Sequence, residues 1–497
     1  MSPTPTASRA QADGPHQQGG VRKAWAPRWL VILHRYVGVA VGVLMLLWCL
    51  SGVVMLFVHY PDVSRDERLA KLAPIDWSRC CTFGNSLQPP LVVSAAAVED
   101  LAGSPVLRLR LAGGERRLID LATGRPIHHV SKETALATAQ AFGGFPGGGS
   151  VKSVVRDQWT VNGEFNRGRP FWRVRLADPE ATDVYVSQSG GEVMQRTTAS
   201  SRVLNWLGAV PHWLYPTILR QDTKLWSQVV IWTSLVGIFL TLTGLYLGVV
   251  AWRPFHDKRL SPFRGLMTWH HLVGLSTGVL TLTWVFSGLV SMNPWGFLES
   301  PENPAIERLA GGAPTFGDVQ MALVAVAERH PVAAQVRIAP FEGELFVLAG
   351  GRRYDARGRL APLTARDLAR AGKSLGPVAG QGLITAGDAY YFAHHEPVTL
   401  PAWRVVRKDG TRVYVDPATG EPLAVIDRAA QQYRWLHKGL HRLDIIPGFD
   451  RGWGWSLAMV LLLAAVTAGV GAGVWLGWRR IVSDVGQLCA RILGSRR

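Results

Sequence analysis

The sequence predicts an α-helical membrane protein with four transmembrane helices and two extramembrane α+β segments, arranged as an internal duplication. Four apolar stretches are almost free of charge and long enough to cross a bilayer. The long segments between them alternate apolar and polar residues, as strands do. A histidine followed by two glycines at helical spacing occurs in the first and the third apolar stretch, which indicates a repeat of about 230 residues.

The apolar stretches divide the chain into parts. These are a disordered tail (1–28), a first span (29–58), a first segment (59–226), a second span (227–251), a short loop (252–267), a third span (268–292), a second segment (293–452), a fourth span (453–477) and a tail (478–497). The first tail is rich in Pro, Gln, Gly and Ser, a composition typical of disorder. The first span follows a basic flank but is too long for a signal peptide, so we interpret it as an uncleaved anchor.

The net charge of +17 is unevenly distributed. Residues 1–35 and 478–497 each carry +4, and residues 252–269 carry +3. By the positive-inside rule, both termini and the short loop are cytoplasmic and both long segments lie outside. The basic character therefore indicates membrane topology, and we expect the lipid bilayer rather than nucleic acid as a partner.

The two segments share a plan of hairpins with single helices. In the first we predict a hairpin at 106–127, a helix at 132–142 and strands at 154–161, 171–176 and 183–186. In the second we predict helices at 316–329 and 365–374 and strands at 344–348, 352–355, 389–392, 403–407 and 411–415. Period-2 strands beside single helices favour small antiparallel sheets with a helix on one face.

The first histidine pair lies at the cytoplasmic ends of the first and third spans. Gly38 and Gly42 follow His34 at i+4 and i+8, so all three share a helix face. The Trp-x-x-Ser-Gly blocks of the two spans align His270 with His34. A haem held by two histidines needs an imidazole from each of two elements and small residues beside the ring. Helix packing is the alternative explanation of such glycines.

A second pair precedes the second and fourth spans. Aligning Trp206 with Trp435 places His441 on His212. Both stretches are amphipathic and could lie along the outer membrane surface. Two pairs on opposite sides of the membrane would provide a path for electrons across it, although no glycine groove accompanies this pair.

More than one role is open for several other histidines. His271 points about 100° away from His270 on a helix and is the alternative ligand. His437 lies one helical turn before His441 and could support a ligand by a hydrogen bond without binding the metal itself, contact a substrate, or form a small metal site with His441. For His394 and His395 a solvated loop is favoured over a ligand set.

The adjacent cysteines Cys80 and Cys81 are expected to be inert thiols, because neighbouring cysteines bridge with difficulty. The sequence contains no C-x-x-C-H motif, so covalently attached haem is not indicated. It also lacks a phosphate-binding loop and a dinucleotide fingerprint, and its cytoplasmic parts leave no room for a flavin domain. An electron donor would therefore be a quinol or another protein.

At these residues the chain resembles the PepSY-associated transmembrane family, iron-regulated inner-membrane proteins of Gram-negative bacteria. The resemblance rests on the His-Gly-Gly and Trp-x-x-Ser-Gly spans, the Trp-Leu-x-x-x-x-His blocks, and hairpins with Trp172, Tyr185 and Gly191, repeated by Trp403, Tyr414 and Gly420. It covers about residues 29–480. The family implies four spans and periplasmic PepSY domains, and some members resemble haem-bearing reductases of ferric siderophores. By position, the implied haem ligands are His34, His270, His212 and His441.

The resulting hypothesis is an inner-membrane electron carrier with two b-type haems that reduces a ferric siderophore or other ferric chelate in the periplasm. It would be a ferric-chelate reductase, and its large double segments leave the substrate open. The alternative is a PepSY-based membrane protein that senses a periplasmic ligand or regulates a peptidase without redox activity. A transporter component is a third class, which the absence of buried acidic residues in the spans disfavours.

Overall fold

The computed structural model describes residues 27–83, 91–252, 260–300, 305–393, 398–446 and 452–494. Its α-helices are α1 (Arg28–Met55), α2 (Arg65–Ala70), α3 (Lys132–Gly143), α4 (Ala199–Leu207), α5 (Ala209–His212), α6 (Thr217–Arg220), α7 (Thr223–Ala251), α8 (Leu266–Ser291), α9 (Ala305–Ala310), α10 (Phe316–Ala327), α11 (Ala365–Ser374), α12 (Arg428–Tyr433), α13 (Leu440–Arg442) and α14 (Trp453–Gly494). Short 3₁₀ turns lie at Trp77–Arg79, Gly163–Gly168 and Pro294–Gly296, and a π-helical turn at Arg434–Gly439.

The strands of the described residues all belong to the two long segments. They are β1 (Val93–Leu101), β2 (Ser104–Leu111), β3 (Arg116–Asp120), β4 (Gly149–Val154), β5 (Phe171–Leu176), β6 (Asp183–Ser187), β7 (Val193–Thr197), β8 (Gln335–Ile338), β9 (Phe346–Ala349), β10 (Arg352–Asp355), β11 (Val378–Ile384), β12 (Ala402–Arg407), β13 (Arg412–Val415) and β14 (Pro422–Ile426).

Four helices, α1, α7, α8 and α14, are long and apolar enough to cross a membrane, as the sequence predicts. They pack as a closed bundle in which α1 contacts α7 and α14, and α8 contacts α7 and α14. Helix α14 has 42 residues and is therefore about 63 Å long. Because the hydrocarbon core is only about 30 Å thick, most of the predicted tail 478–497 continues this helix beyond the bilayer.

The largest sheet combines strands from both segments. Its order is β10-β9-β8-β1-β2-β3, and the antiparallel pair β1–β8 joins the two halves at Val98 and Val336. Helix α10 covers the sheet and contributes Phe316, Val319 and Leu323 to the largest core cluster. The two segments therefore share a core. Sequence periodicity shows that a stretch is a strand but not which strand it pairs with.

A buried carboxylate strengthens this joint. Glu99 of β1 is 1% exposed, forms salt bridges of 2.8 Å with Arg68 and Arg108, and accepts a hydrogen bond from Gln335 of β8. Burial alone would raise the pKa of Glu99, but the hydrogen bond from Arg68 and the charges of Arg108 and Arg68 outweigh it and lower that pKa to about 2. The joint therefore depends on Glu99 being ionised.

Each segment also contains a four-stranded antiparallel sheet of its own. The orders β4-β5-β6-β7 and β11-β12-β13-β14 are the same, and α3 and α11 respectively pack against them. Tyr185 and Tyr414 are fully buried in the third strands. Their hydroxyls donate to Asp157 and Asp388 at 2.7 and 2.8 Å. The likeness of the two sheets extends to these hydrogen bonds.

Two predicted strands are turns. The stretch 154–161 turns after β4, where the Asp157 carboxylate accepts hydrogen bonds from the Trp159 backbone N–H and the Thr160 hydroxyl. The stretch 389–392 turns in the same way around Asp388. An aspartate that binds the backbone two residues onward competes with the strand ladder. Strands β1 and β11 escaped prediction because they are rich in alanine and glycine.

The expectation of two inert thiols is also wrong. Cys80 and Cys81 form a disulfide with each other. Both pack against the core of the largest sheet, and the Thr82 N–H donates to the Leu121 carbonyl at 2.7 Å. A disulfide between neighbouring cysteines is geometrically uncommon but not impossible. Here both side chains pack against the same core.

Candidate functional site

The first histidine pair is formed by facing helices. His34 of α1 and His270 of α8 lie with their ring centroids 6.5 Å apart and their planes inclined by 41°. The Nδ1 atom of His270 lies 2.9 Å from the Gly469 carbonyl oxygen. A carbonyl can only accept a hydrogen bond, so Nδ1 donates and Nε2 of the neutral ring keeps its lone pair.

The same holds for His34. Its Nδ1 lies 3.2 Å from the Thr243 hydroxyl, and that hydroxyl donates its own hydrogen to the Leu240 carbonyl at 2.9 Å. The hydroxyl oxygen therefore accepts from Nδ1. Both rings of this pair are thus anchored through Nδ1, the arrangement that a histidine bound to a metal through Nε2 uses.

Glycines of the neighbouring helices make room for these rings. A Cβ atom at Gly244 of α7 would lie 2.8 Å from Cε1 of His34, and one at Gly473 of α14 would lie 2.6 Å from Cε1 of His270. Any larger residue would displace the imidazole. The sequence gives no spacing signal for these glycines, because they lie on different helices from the histidines that they accommodate.

Only part of the glycine face that the sequence predicts borders open space. A Cβ at Gly42 would lie 2.6 Å from a valine of α14, and one at Gly278 would lie 2.5 Å from a leucine of α7. These two glycines therefore allow close helix packing, the alternative that the sequence left open. Gly274 faces open space.

The second pair lies at the other end of the bundle. His212 ends α5 and His441 lies in α13, and their ring centroids are 6.0 Å apart with an angle of 73° between the planes. Nδ1 of His212 lies 3.1 Å from the Trp48 carbonyl oxygen and 3.2 Å from the Ser51 hydroxyl. Nδ1 of His441 lies 3.0 Å from the Ser287 hydroxyl.

These contacts explain the repeated Trp-x-x-Ser-Gly blocks. Ser51 and Ser287 are 1% and 0% exposed. Each hydroxyl donates to a carbonyl of its own helix, Ser51 to Leu47 and Ser287 to Trp284 at 3.0 Å, and so can accept from the histidine. The blocks therefore hold the second pair through Nδ1. In the sequence these blocks served for alignment and for the family resemblance, although their repetition at the level of a histidine pair was the available signal for an anchoring role.

Burial keeps the second pair neutral. It lowers the pKa of His212 to about 4, against the opposing hydrogen bond with the Trp48 backbone. For His441, burial, then the nearby His212 and His437, lower the pKa to about 3. Neutral imidazole is the form that binds a metal.

His271 belongs to neither pair. It is buried, with Nδ1 2.9 Å from the Ser261 hydroxyl and Nε2 2.8 Å from the Gly248 carbonyl oxygen. Both ring nitrogens thus have protein partners, and the geometry favours His270 over His271 as a ligand.

His437 supports the second pair from the side. Its Nδ1 lies 2.9 Å from the Ser287 carbonyl oxygen, and its ring centroid lies 5.4 Å from that of His441. Within the described residues, no group of three or more His, Cys, Asp or Glu side chains is arranged to hold a metal ion. The geometry therefore gives the alternative of a small metal site with His441 no support. His394 and His395 lie outside the described residues.

The separation of the rings in both pairs is compatible with a haem iron that the two histidines of a pair would hold between them. A metal bonded to two opposed imidazole nitrogens, each about 2 Å away, places the ring centroids about 6 Å apart. The observed separations are 6.5 and 6.0 Å. On α1, His34 and the anchor Ser51 are about 25 Å apart along the helix axis. The two pairs therefore lie near opposite faces of a bilayer.

Comparison with known proteins gives one family. A model described as the PepSY-associated TM region matches residues 31–365, more than half of the chain. No curated protein matches the sequence.

Proposed function

The chain belongs to the PepSY-associated transmembrane family, and from that premise we propose that it is a membrane electron-transfer protein carrying two b-type haems. The observation that supports this most directly is the pairing of four histidines from separate elements into two facing couples. In each couple both Nδ1 atoms are anchored by oxygen acceptors, which leaves Nε2 for a metal.

The proposed ligands are His34 with His270 and His212 with His441. Haem supplies one-electron redox chemistry when it is bound, and the absence of a C-x-x-C-H motif favours the non-covalent b type. The protein's own groups orient the imidazoles and surround them with apolar helices, and burial keeps His212 and His441 neutral.

We propose the bacterial inner membrane as the location, with both termini in the cytoplasm and both segments in the periplasm. The charge distribution of the sequence supports this orientation. The histidine pair at His34 would then receive electrons near the cytoplasmic face, and the pair at His212 would pass them to a periplasmic acceptor. The like sheets and like histidine anchors also support an origin by duplication.

The proposed acceptor is a ferric siderophore or other ferric chelate. Each Fe³⁺ takes up one electron to become Fe²⁺. One quinol oxidised to quinone releases two electrons and two protons, so it would reduce two ferric ions. A donor protein could replace the quinol with the same electron balance.

The deciding experiment is a reduced-minus-oxidised absorption spectrum of the detergent-purified protein with haem quantified per chain. We expect b-type bands and two haems per chain, and one haem in the His34→Ala and His270→Ala variants, because each variant removes an axial ligand. His128→Ala, at an exposed position in the first segment, is the matched control and should keep both haems.

Full haem content in both span variants would refute the assignment of His34 and His270. A haem-free protein, after expression with adequate iron and haem, would refute the electron-transfer function. That result would favour a periplasmic ligand-sensing or peptidase-regulating role for the segments.

A further inference from the structure

A cavity of about 350 Å³ opens in the second segment beside the second histidine pair. It lies between the turn after β11, strand β14 and the helical stretch α12 with its π-helical turn. Its lining residues are Leu298, Ser300, Tyr390, Tyr391, Phe392, Val398, Ile426, Ala430, Tyr433, Arg434 and Lys438.

The aromatic wall of this cavity is held in place from behind. Tyr391 stacks on the buried Tyr414 with a centroid distance of 4.5 Å and an angle of 17°. The Tyr390 hydroxyl accepts a hydrogen bond of 3.3 Å from the Trp435 indole, and the Arg412 guanidinium lies over its ring at 4.8 Å. Rings that are fixed in this way form a preorganised surface for a flat apolar group.

Two of the residues that line the cavity, Arg434 and Lys438, carry positive charge. Arg434 is 5% exposed and forms a salt bridge of 3.0 Å with Asp444. Lys438 is half-buried, and none of the carboxylates in the described ranges forms a salt bridge with it. Burial, then the charges of Arg442 and Arg434, lower the pKa of Lys438, while Asp444 opposes them. The local balance is positive and favours an anion.

A chain of rings connects the cavity with the second pair. Tyr433 lines the cavity, and its ring centroid lies 5.0 Å from that of His437. His437 in turn lies 5.4 Å from His441. A ligand against Tyr433 is therefore separated from the proposed haem ligand His441 by two aromatic rings.

The first segment lacks these features at the equivalent positions. Aligning Trp206 with Trp435 places Gly208 at the position of His437 and Ala209 at that of Lys438. Neither can supply a ring or a charge. The ring of His437 and the charge of Lys438 therefore have no counterpart at the aligned positions of the first segment.

We propose that this cavity binds an anionic aryl group, of catecholate or aryl-carboxylate type, belonging to the chelate that receives the electron. Tyr390 and Tyr433 contact the aryl face, and the Lys438 ammonium pairs with its negative oxygen. Known ligand pockets are about 300–1,000 Å³ in volume, so this one accommodates a single aryl arm of a chelate rather than a whole ferric siderophore. The assignment of the bound group as an electron acceptor rests on the proposed function, whereas its binding does not.

The test is calorimetric titration of the full-length, detergent-purified protein with 2,3-dihydroxybenzoate, and separately with acetohydroxamate, which has no aryl ring. We expect saturable binding of the aryl probe and none of the hydroxamate. Lys438→Met should weaken aryl binding by about tenfold, because a charge-assisted hydrogen bond is lost. Lys438→Arg should restore most of it.

Two further variants complete the design. Tyr433→Leu should weaken binding of the aryl probe by removing a stacking surface. Lys152→Met, at an exposed lysine of β4, is the matched control and should bind as the unaltered protein does. A Lys438→Met protein that retains two haems per chain is folded, so its affinity can be compared directly.

Equal affinity of the unaltered and Lys438→Met proteins, or equal binding of the two probes, would overturn the proposal while leaving a dihaem protein intact. Lys438-dependent binding to a protein without haem would retain the aryl site and refute electron transfer. The two failures are therefore distinguishable.

Discussion

The two segments anchor their histidines of the second pair in the same way, but the residues that pack near these histidines differ. In the first, Tyr60, five residues after the end of α1, packs 5.6 Å from Trp213 and 6.0 Å from Trp159, ring centroid to centroid. Its hydroxyl donates to the Gln158 carbonyl at 2.6 Å. Trp159 follows Asp157 as Tyr390 follows Asp388, so aromatic packing occupies the region that corresponds to one wall of the cavity. The histidine anchors of the two segments are thus alike, whereas the residues that pack around them differ.

Under the proposed duplication, this difference would allow one half of the protein to acquire a ligand site of its own. A cofactor held by one histidine from each half needs both halves to keep the same anchor. A ligand that binds to one half of the protein needs a cavity in that half only. The serine contacts to the histidines are the same in both halves. Selection for a ligand site can therefore act on the residues that pack over the histidines without changing the histidine anchors.

The largest effect should come from removing either histidine of the second pair. If the two halves contribute equally, His212→Ala and His441→Ala should each lose one of two haems and leave the other, because one remaining imidazole cannot form the axial pair. Pyridine haemochrome quantification measures this. An unequal loss would show that one half dominates the site.

The joint between the halves should be sensitive to acid. The pKa of Glu99 is lowered to about 2 in the folded protein, so its contribution is present at neutral pH and is lost as pH falls from the ordinary range of about 4.5 through 2. We expect Glu99→Gln to reduce the free energy of unfolding by about 3 kcal/mol at pH 7.

Denaturant unfolding followed by circular dichroism at pH 7 and at pH 3 measures the effect of Glu99→Gln. The difference between variant and unaltered protein should shrink at the lower pH. Glu115→Gln, at an exposed position, serves as the control and should change little. A difference that persists undiminished at low pH would mean that packing, not charge, holds the joint.

A smaller effect is expected from the serine anchors. Ser51→Ala and Ser287→Ala should each weaken haem affinity by about 10–100-fold without abolishing binding, because the outer hydrogen bond to the ligand is lost while the ligand remains. Haem transfer to an apo-acceptor protein reports the affinity. Ser276→Ala, at an exposed serine of α8 that bonds only its own helix, is the control. Unchanged affinity in both anchor variants would assign the serines to helix packing alone.

The four spans, most strands and the four paired histidines were predictable from the sequence. The state of Cys80 and Cys81 and the turns at Asp157 and Asp388 were predicted incorrectly, and the shared sheet was not predicted. The successes concern local properties. A helix long enough to cross a bilayer and a strand with alternating burial are both visible in neighbouring residues. The errors concern the pairing of distant strands, as between β1 and β8, and bonds between near neighbours that the alternation of apolar and polar residues does not reveal.

The sequence by itself determined where the chain is apolar, where its long helices and most of its strands lie, and which histidines recur in a repeat. It could do so because hydropathy and periodicity are properties of consecutive residues. Only the tertiary structure decided that β1 pairs with β8, that Gly244 and Gly473 accommodate the rings of His34 and His270, and that a cavity opens between β14 and α12. Those features arise where side chains far apart in the sequence pack together, and no local pattern encodes the distance between them.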